Sequence, residues 1–411
     1  MSLTLEQAVS LALENNLNLK KNQIDINTSS YSEQRVWSEI FPAISASGSI
    51  GFASPMFSGD GFALNENSLR YRTEFGITLG LNAGIPYAMR SIRIAHQANI
   101  LRNEDVRNLL SIQITKRFYS LIAEKNNLLH LEEVLDLAQK QYDRNQISFN
   151  NGLIRELTLI QSSLSVENAR YSLSMANTSY INNMNEFIAM LGLDSGTVLN
   201  LSGEINIIKM DADAESLIKQ YLPLRPDIIM ANQEIERLEN ASKQITMQNK
   251  APSLNLSLDW ESSDFDPFTD NFRGTARVSI PIDPWIPGTS RNQSVTRAQD
   301  SIEKAKLDLI IAEEQARTQI RSLAALLRGS WDSIAIARLS FEVAELTWRL
   351  SEQSFGSGTL ESLDMERARN DMAASRQRLL QTELTYFNLI LDLSSAINMD
   401  WNELIKNYGV H

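Results

Sequence analysis

Apolar residues recur along this chain with two different periods, and the switches between them mark out rods and strands. Leu128, Leu131, Leu135, Ala138 and Tyr142 follow a 3-4-3-4 spacing. Ile334, Ala337, Phe341, Ala344, Trp348, Ser351 and Phe355 repeat it, and the same register runs upstream through Ile302, Ala305, Leu309, Ala312 and Ala316. That heptad pattern predicts helices packed along their length, with alanine admitting close approach. No proline or glycine lies between Ser91 and Phe149, and only Asn126-Asn127 weakens helix propensity there. At 1.5 Å rise per residue, roughly sixty residues make a rod of about 90 Å, far beyond an ordinary globular helix. Each rod ends at a glycine able to take φ > 0, in Asn151-Gly152 and Ser357-Gly358, and a return helix follows over about 154–192 and 360–397. Shorter helices are predicted over Leu5–Ile40 and Glu215–Asn249, the second with Pro226 in its first turn, where a missing N–H costs little.

Four segments switch to period two. Ile44, Ala46, Gly48, Ile50 and Phe52 alternate with Ser45, Ser47, Ser49 and Gly51. Tyr71, Phe75, Ile77, Leu79, Leu81, Ala83 and Ile85 do so with Arg72, Glu74, Gly76, Thr78, Gly80, Asn82 and Gly84. Leu254, Leu256, Leu258 and Trp260 form the third set, and Ala276, Val278, Ile280 and Ile282 the fourth. Pro/Gly/Asp-rich loops at about 54–68 and 262–272 join them into two β-hairpins. The strands reach a tilted membrane-spanning length, and their second face is small and polar, as beside a water-filled lumen. Four strands do not close a barrel, and an open sheet edge in lipid is prohibitive. Three copies would supply twelve strands, the arrangement favoured here over two or four.

The two halves repeat each other. Ser-Phe-x-x-Gly ends at Gly152 and again at Gly358, 206 residues later, and the same offset relates Arg170 to Arg376, Leu173 to Leu379 and Tyr180 to Tyr386. The expected organisation is therefore one duplicated fold. Residues 1–200 hold a helix, a hairpin at about 42–86 and a helical hairpin with its tip near 152. Residues 201–411 hold a linking segment, a helix, a hairpin at about 252–283 and a tip near 358.

Composition narrows the chemistry. A net charge of −12 argues against a sequence-independent nucleic-acid binder. The chain has no cysteine, so disulfides and thiolate metal sites are excluded. No apolar run reaches the ~18 residues of a membrane-spanning helix, and Met-Ser-Leu-Thr-Leu-Glu at the start lacks the charged-then-apolar pattern of an export signal. His96, His130 and His411 fit no metal or triad spacing, and no P-loop occurs, so no enzyme activity and no cofactor are expected.

The ordered set of elements, with several local phrases, resembles the TolC-like outer-membrane efflux proteins over nearly the whole chain. Leu-Thr-Leu-Glu-Gln-Ala-Val-Ser-Leu-Ala-Leu-Glu-Asn-Asn at 3–16 resembles the family's opening helix, and Leu-Arg-Pro-Asp-Ile at 224–228 its counterpart in the second half. Phe41-Pro42-Ala43 and Ala251-Pro252-Ser253 resemble its helix-to-strand passages, Ser279-Ile280-Pro281-Ile282 its exit from the barrel, and the Phe-x-x-Gly turns its periplasmic tips. The resemblance implies a mainly α fold with a membrane β-barrel: a homotrimer with a twelve-strand barrel in outer-membrane lipid and an α-helical tunnel in the periplasm. It implies a passive exit channel of a tripartite efflux or type I secretion system, its tip closed until a periplasmic adaptor and an inner-membrane pump engage it. Residues 194–214 would belong to a belt around the tunnel. The competing reading of the pattern alone is a soluble coiled-coil scaffold or adaptor protein.

The resemblance also places a gate. Asp364 matches an acidic position after the second turn, while Arg367 stands where a further aspartate is expected. Three Asp364 carboxylates near an axis would repel and raise one another's pKa; alternatively Asp364 and Arg367 pair along one helix. Phe355 matches an aromatic latch position but lacks a hydroxyl, and Thr158 stands where an acidic partner is often found. Asn151, Gly152, Leu153, Ser357, Gly358 and Thr359 are the candidate adaptor-contacting residues.

Overall fold

The computed structural model describes residues 2–52, 69–194, 196–203, 207–263, 271–357 and 359–410. Its elements run β1 (Ser2–Leu3), α1 (Leu5–Asn15), α2 (Leu17–Gln34), β2 (Ala43–Phe52), β3 (Leu69–Asn82), α3 (Ile85–Asn150), α4 (Glu156–Met190), β4 (Asn200–Leu201), β5 (Lys209–Met210), α5 (Ala214–Tyr221), α6 (Pro226–Lys250), β6 (Ser253–Ser263), β7 (Asn271–Ser279), α7 (Ser290–Gly356), α8 (Ser362–Ile397), α9 (Trp401–Tyr408) and β8 (Gly409–Val410). The duplication is visible in the coordinates. Helices α3 and α7 have 66 and 67 residues and end 206 positions apart. Helices α4 and α8 follow, with 35 and 36 residues.

Several boundaries differ from the sequence reading, each for a local reason. The expected helix Leu5–Ile40 is broken at Asn16, whose carboxamide oxygen accepts from the backbone N–H groups of Asn18 (2.9 Å) and Leu19 (3.2 Å) and so caps a second helix. The α1 start is a capping box: Thr4 Oγ1 accepts from Gln7 N–H, and Gln7 Oε1 accepts from Thr4 N–H. In the second half Pro226 holds Arg225 in an extended conformation, so α5 and α6 separate there. Ile85, read as the end of a strand, instead opens α3 with Pro86 behind it. Ile280 and Ile282 lie beyond β7, where Pro281 cannot donate to a ladder and Asp283–Trp285 forms a 3-10 turn.

The chain forms two compact units, and both halves of the sequence contribute to each. One comprises Met1–Gln23, Arg102–Ile229 and Ala312–His411. Its core is the apolar seam where α1, α3, α4 and α8 meet, with Leu3, Ala8, Ile114, Phe118, Leu121, Phe187, Leu191, Phe387 and Leu391 all buried. The Tyr119–Phe387 and Phe387–Trp401 rings pack edge to face at 4.7 and 5.6 Å. Tyr386, fully buried, donates to Ile208 C=O (3.1 Å) and accepts from Met210 N–H (2.8 Å), fastening the linking segment onto α8. Arg225 grips Asp227 with two hydrogen bonds (2.7 and 3.0 Å) and donates to Ala396 C=O at 2.7 Å. Burial alone would raise the Asp227 pKa, but the Arg225 guanidinium holds it below the ordinary value.

The other unit comprises Ile24–Leu101 and Met230–Ile311 and carries an antiparallel sheet in the order β2-β3-β6-β7. Within it Asn240 donates to Tyr87 C=O (2.7 Å) and Ser91 Oγ (2.8 Å), and Asn249 donates to Ser294 Oγ (2.9 Å). The expected hairpin loops fall largely outside the described residues.

Candidate functional site

Two places carry the features of a channel: the faces of the sheet and the turns between the long helices. In the sheet, the register aligns the period-two pattern across all four strands. One cross-strand row is Ala46, Phe75, Trp260 and Phe272; another is Ile44, Ile77, Leu258 and Gly274. The opposite face reads Ser45, Gly76, Asp259 and Arg273 in one row and Ser47, Glu74, Glu261 and Asn271 in the next. Arg72 bridges to Glu261 at 2.9 Å on that polar face. The apolar face is uncovered: Ile44, Ile50, Phe75, Ile77, Leu258, Phe272 and Val278 are all exposed. An apolar surface of this extent marks an interface with lipid or protein. The strands have 10, 14, 11 and 9 residues, lengths suited to crossing a bilayer at a tilt. Exposed aromatics flank the sheet at its junctions with the helices, Trp37 against Phe41 on one side and Trp285 beneath Lys250 on another. Such rings sit at headgroup level in membrane barrels. Among the described residues no helix is long and apolar enough to cross a membrane. Among the described residues, β2 and β7 each have one edge without a partner strand.

The first helical turn is built by Gly152 at φ +72°. Leu153 N–H donates to Ser148 C=O (2.8 Å) and Gly152 N–H to Phe149 C=O (2.9 Å), the pair of bonds that closes a helix through a left-handed residue. Asn151 and Leu153 are exposed beside it. The second turn repeats the long bond: Thr359 N–H donates to Ser354 C=O at 3.0 Å. Here the side chains of Ser357 and Thr359 also donate to that carbonyl (2.9 and 3.0 Å). Gly358 lies outside the described residues.

The gate candidates occupy the adjacent helix ends. Asp364 in the first turn of α8 accepts from Arg367 at 3.1 Å, and both side chains are at least half exposed. Of the two readings of that pair, the single chain displays the one along the helix. Thr158 sits in the first turn of α4, half-buried, its N–H on Arg155 C=O at 3.1 Å. Among the described residues no hydrogen bond joins it to Phe355, Asp364 or Arg367. Phe355 lines a cleft of about 490 Å³ between the ends of α3 and α7 and the start of α8, beside Trp348, Met365 and Arg369.

That cleft contains a polar set the sequence reading missed. Gln141, Asn145 and Arg369, which line it, are all buried, and Glu366 is buried on the same helix as Arg369 without lining the cleft. Gln141 donates to Asn145 Oδ1 (2.9 Å), and Arg369 donates to Ser165 Oγ (3.0 Å). Burial raises the pKa of Glu366, against the pull of Arg369, and lowers that of Arg369. The available signal was register: Asn145 is the next heptad position after Leu135, Ala138 and Tyr142, a polar residue on a buried stripe.

Comparison with known proteins places this architecture. The family model for outer membrane efflux proteins matches residues 8–193 and again 217–398. The Campylobacter jejuni outer membrane channel CmeC superposes with a TM-score of 0.77 at 17% identity, covering 98% of this chain and 88% of that one. The Vibrio cholerae outer membrane protein VceC gives 0.74 at 15% identity, covering 97% and 96%. The open-state outer membrane channel MtrE of Neisseria gonorrhoeae gives 0.76 at 15%, covering 97% and 89%. At these identities the structural likeness is one of fold, and the family match carries the assignment. It removes the soluble scaffold from consideration. The chain belongs to the outer membrane efflux protein family, the exit channels of efflux systems, which span the bacterial outer membrane and continue as a helical tunnel in the periplasm.

Proposed function

We propose that three copies of the chain close a twelve-strand barrel and that the assembly is the passive outer-membrane conduit of a tripartite efflux system, gated at its helical tips. The observation that carries this reading is the sheet: one continuous apolar face, one polar face, and two free edges on β2 and β7. Pairing β7 of one copy with β2 of the next satisfies both edges and leaves none in lipid. The halves 1–200 and 201–411 are then the two copies of a duplicated unit. The exposed turn residues Asn151, Gly152 and Leu153, with Ser357, Gly358 and Thr359, form the surface for a periplasmic adaptor, and an inner-membrane pump supplies the energy.

At the tip, the Asp364–Arg367 pair sets the character of the gate. An exposed pair of this kind contributes about 0–1 kcal/mol, so it is a latch that a docking partner easily displaces. Three copies would bring three carboxylates and three guanidiniums together, a charge-balanced ring with little ion preference. Phe355 and Thr158, at the adjacent helix ends, complete the proposed gate. The test is reversal potential and conductance in a planar bilayer across a salt gradient. Arg367→Ala is expected to raise cation preference by leaving Asp364 unbalanced, Asp364→Ala to shift preference toward anions, and each to enlarge the current. Selectivity and conductance unchanged in both variants would remove these residues from the gate.

A further inference from the structure

The cleft between the ends of α3 and α7 and the start of α8 has a surplus of hydrogen-bond donors over acceptors. Arg369 is 3% exposed and Asn145 5%. Arg369 Nε and Asn145 Nδ2 are sealed from solvent, and among the described residues neither has an acceptor. A buried donor left without a partner is costly, more so when charged, and native structures seldom leave such groups unused. Of the remaining charges lining the cleft, Lys140 and Arg144 are positive and Glu352 is negative, while the carboxyl group of Glu366, buried on the same helix as Arg369 and interacting with it, lies outside the lining. Lys140 is engaged by Asp136 at 2.6 Å. Gln141 and Ser148 add neutral polar groups, and the apolar part of the wall includes the rings of Trp348 and Phe355 and the thioether of Met365.

A volume of about 490 Å³ suits a molecule of drug-fragment size, and the cleft offers it both an aromatic surface and convergent polar groups. We propose that this cleft binds a small organic anion, its carboxylate or sulfonate head on Arg369 and Asn145 and its aromatic or aliphatic body against Trp348 and Phe355. Arginine is suited to the head group, since its planar fork matches a carboxylate, and the anion supplies acceptors that the protein does not. The site shares Phe355 with the proposed gate but not Asp364 or Arg367, and it requires only the single-chain geometry of the helix ends.

The test is titration calorimetry of the detergent-solubilised full chain with 2-naphthoate, against 2-naphthylmethanol, inorganic phosphate and protein-free detergent. Naphthoate is expected to bind about tenfold or more tighter than the alcohol, the factor for a charge-assisted hydrogen bond, and phosphate to bind weakly for want of a body. Arg369→Gln should weaken naphthoate by about tenfold or more. Asn145→Leu should weaken it several-fold, and it decides the matter if the arginine variant does not fold. Trp348→Leu should weaken acid and alcohol alike. Equal affinity for acid and alcohol would reduce the cleft to apolar partitioning. No binding, or binding indifferent to Arg369→Gln and Asn145→Leu, would overturn the proposal, the two donors then being served by water.

Discussion

At Gly152 the backbone turns through φ +72° with no atom within 4 Å of where a Cβ would lie, so the cost of a side chain there is backbone strain alone. Gly152→Ala should cost about 1–2 kcal/mol, felt in the turn itself. Gly192 closes α4 by the same device at φ +68°, but its Cβ would meet Asn15 Cβ at 2.7 Å. Gly192→Ala is therefore expected to cost clearly more, as a larger drop in melting temperature. The offset of 206 places Asn398, at φ 53°, in the position of Gly192, the left-handed residue that asparagine tolerates best. His130 illustrates a different local cost. It is buried, 3.4 Å from an Arg376 nitrogen, and its Nε2 has no hydrogen-bond partner among the described residues. Burial first, and then Arg376, lower its pKa below the ordinary 6.5, against the pull of Glu133. The unfolded chain therefore takes up this proton first as pH falls. The histidine's contribution is complete above about pH 6.5 and declines from there toward the lowered folded-state value, by no more than about 1.4 kcal/mol per pH unit. His130→Gln should flatten that part of the melting-temperature profile; an unchanged profile would show that His130 is not its source.

At the scale of elements, the alternation in the strands decides which substitutions matter. Ile77 and Thr78 are neighbours on opposite faces of β3, Ile77 beside Ile44 and Leu258 and Thr78 beside Ala43 and Ser257. Ile77→Arg should lower stability in lipid vesicles by about 2–4 kcal/mol if that face lies near the bilayer midplane, whereas Thr78→Arg should fold nearly as the parent does. Equal effects would mean that the apolar face does not meet lipid. This face was legible in the sequence, because period two assigns faces without any tertiary information. The partner of each strand was not: β3 pairs with β6 across roughly half the chain, and alternation is indifferent to which strand lies alongside. The rods were legible for the same reason as the faces, since heptad register survives over sixty-odd residues. The break at Asn16 was missed because a side-chain cap acts over three residues, too few to disturb an apolar periodicity. At the tips, the turns were legible through their glycines, and Asp364, Arg367 and Phe355 only through family resemblance. Arg369 carried no sequence signal, since its burial comes from three helix ends meeting.

At the scale of the molecule, the described residues of one chain do not satisfy its sheet. Among them nothing pairs with the outer edges of β2 and β7 or covers the apolar face. In water both features invite aggregation; in lipid, the proposed closure through neighbouring copies would remove the edges and the bilayer would cover the face. On that proposal assembly and membrane insertion are parts of the same folding problem. The native absence of cysteine makes the closure directly testable. A cysteine at Ser47 on β2, combined in turn with one at Arg273, Thr275 or Arg277 on β7, places thiols on the two edges of every copy. Oxidation in the membrane-inserted protein should link β7 of each copy to β2 of the next for the pair in register. A denaturing gel should then show a ladder that stops at the covalent trimer, while the single-cysteine proteins remain monomers. A ladder that ends at the dimer or runs to the tetramer, or no crosslink from any of the three pairs, would contradict the twelve-strand barrel.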